Sequence, residues 1–226
     1  MRLFDATWTR NNAFDDGPPR LFVSVDVEEE FNWSRPFSRT GYTVRSPLRL
    51  ERLERLCWRF GIRPIYFVDF AVMTSAEAVA RIRQSLEAGR CILGAHLHPW
   101  VTPPYEETIS HRTSFPGNLP ADLERKKLET LMARLEECFG IRPVYYRAGR
   151  YGIGPSSFGN MAQFGIRFDM SCLSGADLRF KDGPDFRLVE PVPYTVRAPN
   201  DIIEIPVTRG YVGMASKHGR HFEALI

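Results

Sequence analysis

The sequence predicts an α/β protein in which helices alternate with parallel strands. Short apolar segments typical of strands alternate along the chain with longer segments whose apolar residues follow helical spacing. The tetrapeptide Phe-Gly-Ile-Arg occurs three times, at residues 60–63, 139–142 and 164–167, each time between a helical pattern and a strand pattern. In this tetrapeptide we expect the glycine to take the left-handed conformation that ends a helix, and the isoleucine to pack back on the last turn of that helix. Repeated passages from helix to strand indicate parallel strands, in either a (β/α) barrel or an open doubly wound sheet.

The first half of the chain contains one complete unit of this kind. Residues 1–20 are mostly polar and are predicted to be an irregular lead-in to a single domain over 21–226. The apolar run at 21–25 is the first predicted strand. Ser46 and the proline after it begin a helix that ends at residue 61. A strand at 65–68 follows that helix.

The second half repeats the pattern. Helices are predicted at 75–88, from Asp122 to Gly140 and after Pro155, and strands at 91–95, 144–146, 166–170 and 202–207. The polar segment 103–120 is predicted to be a loop over the carboxyl ends of the strands. Loops of this length in compact domains usually serve function.

Composition and charge exclude several classes of protein. The chain has 226 residues with 43% hydrophobic and 25% charged residues, enough for one globular α/β domain. A net charge of only +3, with scattered arginines, argues against a dedicated nucleic-acid-binding protein. No apolar run approaches the roughly 20 residues of a membrane span, and no secretory signal is recognised. The four cysteines form no Cys-x-x-Cys pair and are expected to be buried free thiols, which favours the cytoplasm.

Two short triplets carry the chemistry. Asp26-Val27-Glu28 and His96-Leu97-His98 each follow an apolar run and each present two polar side chains separated by one aliphatic residue. Because residues i and i+2 of a strand point the same way, each pair can share one side of the sheet. If the two strands are neighbours, two carboxylates and two imidazoles converge at their carboxyl ends. That mixed set suits a divalent transition metal with an open coordination position and a spare base.

The chain resembles the polysaccharide deacetylase family, which has the NodB-homology fold of carbohydrate esterase type. The resemblance covers roughly residues 21–210 and rests on the segments 24–28, 94–100, 146–152 and 168–171. It implies an irregular (β/α) barrel with its site at the carboxyl ends of the parallel strands. It also implies a carbohydrate substrate and a divalent metal ion, with zinc first and cobalt, nickel or iron as alternatives. The oligomeric state is left open.

The first motif of the family has an acidic residue that acts as the base and a second that binds metal. By position Asp26 matches the base, and Glu28 takes the ligand role. Many members have adjacent aspartates, whereas this chain has Asp-Val-Glu. Glu29 and Glu30 are rivals for the ligand role. Of these, Glu30 is an even number of residues from Asp26, so in a continued strand it would point to the same side.

The remaining motifs supply the other site residues. The second motif usually has two histidines four residues apart, and the resemblance makes His96 the first of these ligands. The residue four after His96 is Trp100, so His98 is the substitute for the second ligand. Arg147 matches the arginine that orients the catalytic aspartate. The last motif supplies a histidine as general acid, and His218 is the candidate, although the weak match leaves open a truncated carboxyl terminus.

The resemblance implies a metal-dependent hydrolase that removes an N-acetyl group from an amino sugar of a glycan or glycan precursor. Trp33, Trp100 and Tyr151 are the candidates for binding the substrate, because flat aromatic rings stack on sugar faces. One alternative is a hydrolase that opens a small cyclic amide. A second alternative, from another class, is a non-catalytic glycan-binding or assembly protein on the same fold.

Overall fold

A computed structural model describes residues 7–14, 18 and 20–209. The described strands form one sheet of eight strands: β1 (Trp8–Arg10), β2 (Ser24–Val27), β3 (Ile65–Val68), β4 (Ile92–Leu97), β5 (Tyr145–Ala148), β6 (Phe168–Asp169), β7 (Tyr194–Val196) and β8 (Ile202–Glu204). Their order is β1-β7-β8-β6-β5-β4-β3-β2. Strands β2 to β6 and β8 run parallel, and β7 pairs antiparallel with both β1 and β8. The predicted α/β class is confirmed, although the described strands do not close into a complete barrel.

Four α-helices are described: α1 (Glu51–Arg59), α2 (Ala76–Glu87), α3 (Ala121–Phe139) and α4 (Ser157–Gln163). The three Phe-Gly-Ile-Arg tetrapeptides lie at the ends of α1, α3 and α4, and their glycines have φ angles of 66°, 66° and 77°. A side chain in this left-handed region is strained, so glycine is the residue that ends these helices without cost. At the start of α2, the side chain of Ser75 accepts a hydrogen bond from the backbone N–H of Ala78.

Two local predictions were wrong. Residues 1–20 were expected to be irregular, but Trp8–Arg10 is an edge strand that pairs with Tyr194–Val196. Asp122 was expected to cap a helix, but it lies inside the first turn of α3, which begins after Pro120. An acidic residue in the first turn still interacts favourably with the helix dipole.

The two faces of the sheet bury different clusters. The face that carries Tyr66, Leu97 and Tyr146 packs against the helices and forms the main core. The opposite face carries Ile65 and Phe67, which pack with other strand residues into a smaller apolar cluster. Toward the carboxyl ends of the strands, this second face carries the polar residues Asp26, His96 and Arg147.

Two further expectations concern the whole chain. All four cysteines are free and buried, as predicted. Within the described ranges, none of the helices combines the length and the apolar composition needed to cross a membrane.

Candidate metal centre

The strand register brings the predicted polar residues to one face of the sheet. In the parallel ladder Asp26 pairs with Phe67, and His96 pairs with Arg147. Phe67 also pairs with Gly94, where a Cβ atom would lie 2.5 Å from the Phe67 ring. The glycine therefore lets the phenylalanine ring lie flat below the polar residues, at the floor of the site.

Three donor atoms meet above this floor. Oε2 of Glu28 lies 3.1 Å from Nε2 of His96 and 3.3 Å from Nε2 of His98. Ligand atoms bound to a tetrahedral ion at about 2.0–2.1 Å lie about 3.4 Å apart, so these contacts match the edges of such a site. Both histidines are almost fully buried, while the side chain of Glu28 is 29% exposed, so the group opens toward solvent on one side. The donor set fits a divalent ion that keeps an open position.

Each imidazole is oriented by a contact on its other nitrogen. Nδ1 of His96 lies 2.9 Å from the carbonyl oxygen of Arg147, and Nδ1 of His98 lies 2.9 Å from a carboxylate oxygen of Glu29. Nδ1 must carry the proton to donate in both contacts, which leaves the lone pair of Nε2 free for an ion. Burial opposes ionisation of Glu28, yet hydrogen bonds and charge from His96 and His98 hold its pKa well below its usual range when no ion is bound.

A second carboxylate pair supports His98 from behind. Glu29 is 2% exposed and Asp69 is fully buried, with Oδ1 of Asp69 accepting a hydrogen bond of 2.8 Å from the backbone N–H of Val72. Burial and the adjacent Glu29 carboxylate raise the pKa of Asp69, whereas His98 and Asp69 lower that of Glu29 despite its burial. Ionisation of this pair is therefore favoured on Glu29, the carboxylate that faces His98. Glu29, Asp69 and His98 could also gather round a cation, but all three are buried and offer it no open position.

Packing fixes the ring of His98 on both faces. The ring of Trp100 stacks on it with centroids 4.2 Å apart, and a Cβ atom on Gly149 would lie 2.4 Å from its Cδ2. Trp100 is only 2% exposed, so its face is not available to a sugar and its predicted role in substrate binding is wrong. Trp33, in contrast, is 56% exposed next to this cluster.

Asp26 and Arg147 form an ion pair beside the three donors. Nη1 of Arg147 donates to Oδ1 of Asp26 at 2.6 Å, Nη2 donates to Oγ of Ser24 at 2.7 Å, and Nε donates to the carbonyl oxygen of Met170 at 3.0 Å. All three nitrogens of the guanidinium are thus engaged, and its plane lies over the Phe67 ring. The Asp26 carboxylate is held in one orientation and is 29% exposed.

Tyr151 lies near the same carboxylates. Burial raises the pKa of its phenol, and the charges of Asp26 and Glu28 raise it further. The tyrosine and the preceding Arg150 both have a φ of 58°, an unfavourable backbone for residues with a side chain. The turn after β5 therefore holds two side chains at the rim of the site in a strained conformation.

The structure thus brings together five of the residues singled out in the sequence: Asp26, Glu28, His96, His98 and Arg147. The rival Glu30 turns away and accepts hydrogen bonds from Thr43 and the backbone of Arg45. His218 lies outside the described residues. Sequence reasoning missed Asp69, whose only signal is that it directly follows the buried strand β3.

Among solved structures, the chain is similar to a Mycobacterium smegmatis protein assigned to the polysaccharide deacetylases, with a TM-score of 0.51 and 24% identity. The similarity covers 74% of this chain and 51% of that chain, so this chain spans about half the length of that relative. At this identity the likeness identifies the fold, and the resemblance noted in the sequence is confirmed at that level.

Two weaker likenesses are to IcaB from Ammonifex degensii and the BpsB deacetylase domain from Bordetella bronchiseptica. Their TM-scores are 0.41 and 0.47 and their identities 20% and 14%. They cover 54% and 84% of this chain, and 55% and 74% of the matched chains. No protein-family model and no curated protein matches the chain.

Proposed function

We propose that this chain, which has the fold of the polysaccharide deacetylases, is a metal-dependent hydrolase that removes an N-acetyl group from an amino sugar of a glycan or glycan precursor. The observation that carries the proposal is one arrangement. Glu28, His96 and His98 present three donor atoms to one point, and the Asp26–Arg147 ion pair stands beside them on the same face. A ligand set with an open position next to a positioned carboxylate is the arrangement that metal-assisted hydrolysis requires.

Glu28, His96 and His98 would hold the ion. Two imidazole nitrogens and one carboxylate suit zinc, and they also accept cobalt, nickel or iron. When bound, the ion would polarise the carbonyl of the substrate and lower the pKa of the attacking water. The proposal leaves the choice among these metals to elemental analysis.

Asp26 is the proposed base. Arg147 engages Oδ1 of Asp26, and Oδ2 has no hydrogen-bond partner within the described part of the chain. That free oxygen would take the proton from water, while the guanidinium holds the carboxylate in one rotamer. His218 is proposed as the general acid that protonates the leaving amine, by the family resemblance alone.

The decisive experiment compares two substitutions in the purified protein. Asp26→Asn should retain one metal ion per chain by elemental analysis and lose at least about 100-fold in turnover of an N-acetylated oligosaccharide. His98→Ala should lose both the metal and the turnover, since it removes a ligand. Unchanged turnover in Asp26→Asn would contradict the mechanism.

The alternatives have less support. Opening a small cyclic amide would call for an arginine beside the reacting atoms that is aimed at an acidic group of the ligand, but every nitrogen of Arg147, the arginine beside the three donors, is already engaged by the protein. A non-catalytic binding protein has no need for three convergent donors beside a positioned base, and absence of metal at full loading would favour it. The cytoplasmic location stays a prediction.

A further inference from the structure

A cationic cleft opens beside the metal centre. It encloses about 500 Å³ and is lined by Trp33, Arg35, Phe37, His111, Arg150 and Lys181, among others. Phe37 packs on Trp100 with ring centroids 4.7 Å apart, and Trp100 stacks on His98. The cleft and the metal centre therefore share one aromatic wall.

Arg150 is the most constrained cation of the cleft. Its guanidinium lies 3.9 Å above the Phe115 ring and donates to the carbonyl oxygen of His111 and the hydroxyl of Ser114. In the part of the chain that the structure describes, no carboxylate lies within ion-pair distance of it. Burial lowers the pKa of Arg150 to about 10, although the charge of Asp182 opposes this. A partly desolvated guanidinium without a carboxylate partner is a strong binder of anionic oxygen atoms.

Other charged side chains add to the positive charge that Arg150 gives the cleft. Arg35 and Lys181 are both exposed and form no ion pair within residues 20–209. Asp182 is the opposing carboxylate, and its Oδ2 lies 3.9 Å from Nδ1 of His111, half exposed at the rim. Three permanent cations against one rim carboxylate leave the cleft with a net positive charge.

The position of Arg150 is tied to the site. It lies three residues after Arg147, in the strained turn where Arg150 and Tyr151 both have a φ of 58°. Strained backbone of this kind is common where a side chain must be held in place for binding. Trp33, more than half exposed, adds a free ring face on which a pyranose could stack.

We propose that this cleft binds the acidic group, a carboxylate or a phosphate ester, of a sugar unit next to the one whose amide is hydrolysed, so that the substrate is an anionic glycan. The location of the hydrolysed amide rests on the proposed function, while the binding of the acidic group does not. The size of the cleft suits one sugar ring with its substituent.

Binding is measured by calorimetry with the Asp26→Asn protein, in which turnover is expected to be at least about 100-fold slower. Three disaccharides of N-acetylhexosamine and a second sugar are compared: one whose second sugar is a hexuronic acid, one in which that carboxyl is reduced to an alcohol, and one in which that alcohol carries a phosphate ester. We expect an acidic ligand to bind about tenfold more tightly than the neutral one, with the advantage falling as salt is raised. The stronger of the two acidic ligands identifies carboxylate or phosphate as the natural group. Equal affinities for all three would overturn the proposal.

Substitutions then locate the effect. Arg150→Gln should weaken binding of the acidic ligand about tenfold and that of the neutral ligand less than about twofold. Since Arg150 also contacts the loop at His111, the double variant Arg35→Gln, Lys181→Gln provides a second test on exposed side chains, with an expected loss of about threefold for the acidic ligand alone. Arg63→Gln is the matched control, because this exposed arginine precedes β3 at the opposite end of the strands. Equal losses for acidic and neutral ligands, or the same loss in the control, would contradict the proposal.

The wild-type protein separates this inference from the proposed function. Deacetylation of acidic and neutral substrates with the same KM would leave the hydrolase standing and refute the cleft. Preferential binding of the acidic ligands without any turnover would support the cleft and refute the hydrolase.

Discussion

Glu29 holds His98 from the side opposite to Glu28, with 2.9 Å between its carboxylate oxygen and Nδ1 of the ring. A carboxylate in this position fixes both the tautomer and the direction of the imidazole, and it makes Nε2 a better ligand. The carboxylate is itself fixed by the buried Asp69. The candidate centre thus has its support built from residues next to the ligands in the chain and in the sheet.

Glu29→Gln should weaken zinc binding about 10- to 100-fold while leaving the fold intact, because the amide keeps the shape but loses the charge. Competition with a chelating dye measures the affinity. Glu30→Gln, one residue away and turned toward Thr43, is the control and should bind zinc like the wild type. Equal affinity in the Glu29 variant would show that its contact with His98 is irrelevant to the ion.

Gly149→Ala should also weaken zinc binding, for a steric reason. The added methyl group would lie 2.4 Å from Cδ2 of His98 and 2.6 Å from the carbonyl oxygen of Leu97, so the ring must move. The matched control is Gly159→Ala in α4, where a Cβ atom meets nothing within 4 Å and alanine favours the helix. Thermal unfolding with and without zinc separates the two variants, since only Gly149→Ala should lose the stabilisation that zinc provides.

Arg147→Lys should reduce kcat about 100-fold with little change in KM. A lysine carries the charge but cannot bond Asp26, Ser24 and the carbonyl of Met170 at once, so Asp26 loses its fixed orientation. Steady-state kinetics on an N-acetylated oligosaccharide measure the effect. Ser24→Ala removes one of the three contacts and should cost much less. A rise in KM with unchanged kcat would assign Arg147 to substrate binding instead.

Lys127→Met should destabilise the protein by about 3 kcal/mol or more, because it leaves buried polar groups unpaired. The ammonium group of Lys127 is fully buried and bonds the carbonyl oxygens of Pro99, Thr102 and Pro104 at 2.7–2.9 Å, with Glu107 at 3.0 Å. Urea unfolding measures the loss. The neighbouring Lys126, which is exposed, gives the control Lys126→Met, whose urea unfolding should match that of the wild type closely.

Stability should fall between pH 4.5 and 7 because of Glu124. Burial raises the pKa of this carboxyl from an ordinary 4.5 to about 7, despite hydrogen bonds from Ser157 and Asn160. The folded state therefore holds a proton that the unfolded state releases, so the contribution is complete below pH 4.5 and is lost as pH rises to 7. The total is about 3 kcal/mol. Urea unfolding across this window should show a smaller slope in Glu124→Gln, and an unchanged slope would contradict the assignment.

The convergence of the candidate ligands could be predicted from the sequence because two simple rules apply to them. Asp26 and His96 lie in β2 and β4, Glu28 and His98 follow directly after those strands, and parallel strands bring their carboxyl ends together. Glu29 was harder to assign, because its parity points it to the other side of a strand. The strand β2 ends at Val27, and at Glu29, the second residue after that end, the alternation no longer holds.

Long-range pairing was beyond local patterns. Trp8–Arg10 becomes a strand only because it pairs with Tyr194–Val196, far along the chain, and three residues carry too little signal to predict it. The burial of Trp100 likewise depends on how Phe37 folds over it. Alternation and helix ends were readable from the sequence, whereas contacts between distant segments were not.

Through its hydrogen bonds, the buried Lys127 connects α3 to the segment directly after His98. A helix on the outside of the sheet is thereby coupled to the place where the chain leaves the candidate centre. Slight shifts of α3, from substitutions along its core-facing side or from a partner docking on its exposed side, would be passed to the imidazole without any change in the centre itself. Variants selected for altered reactivity should therefore include positions on α3, remote from every reacting atom.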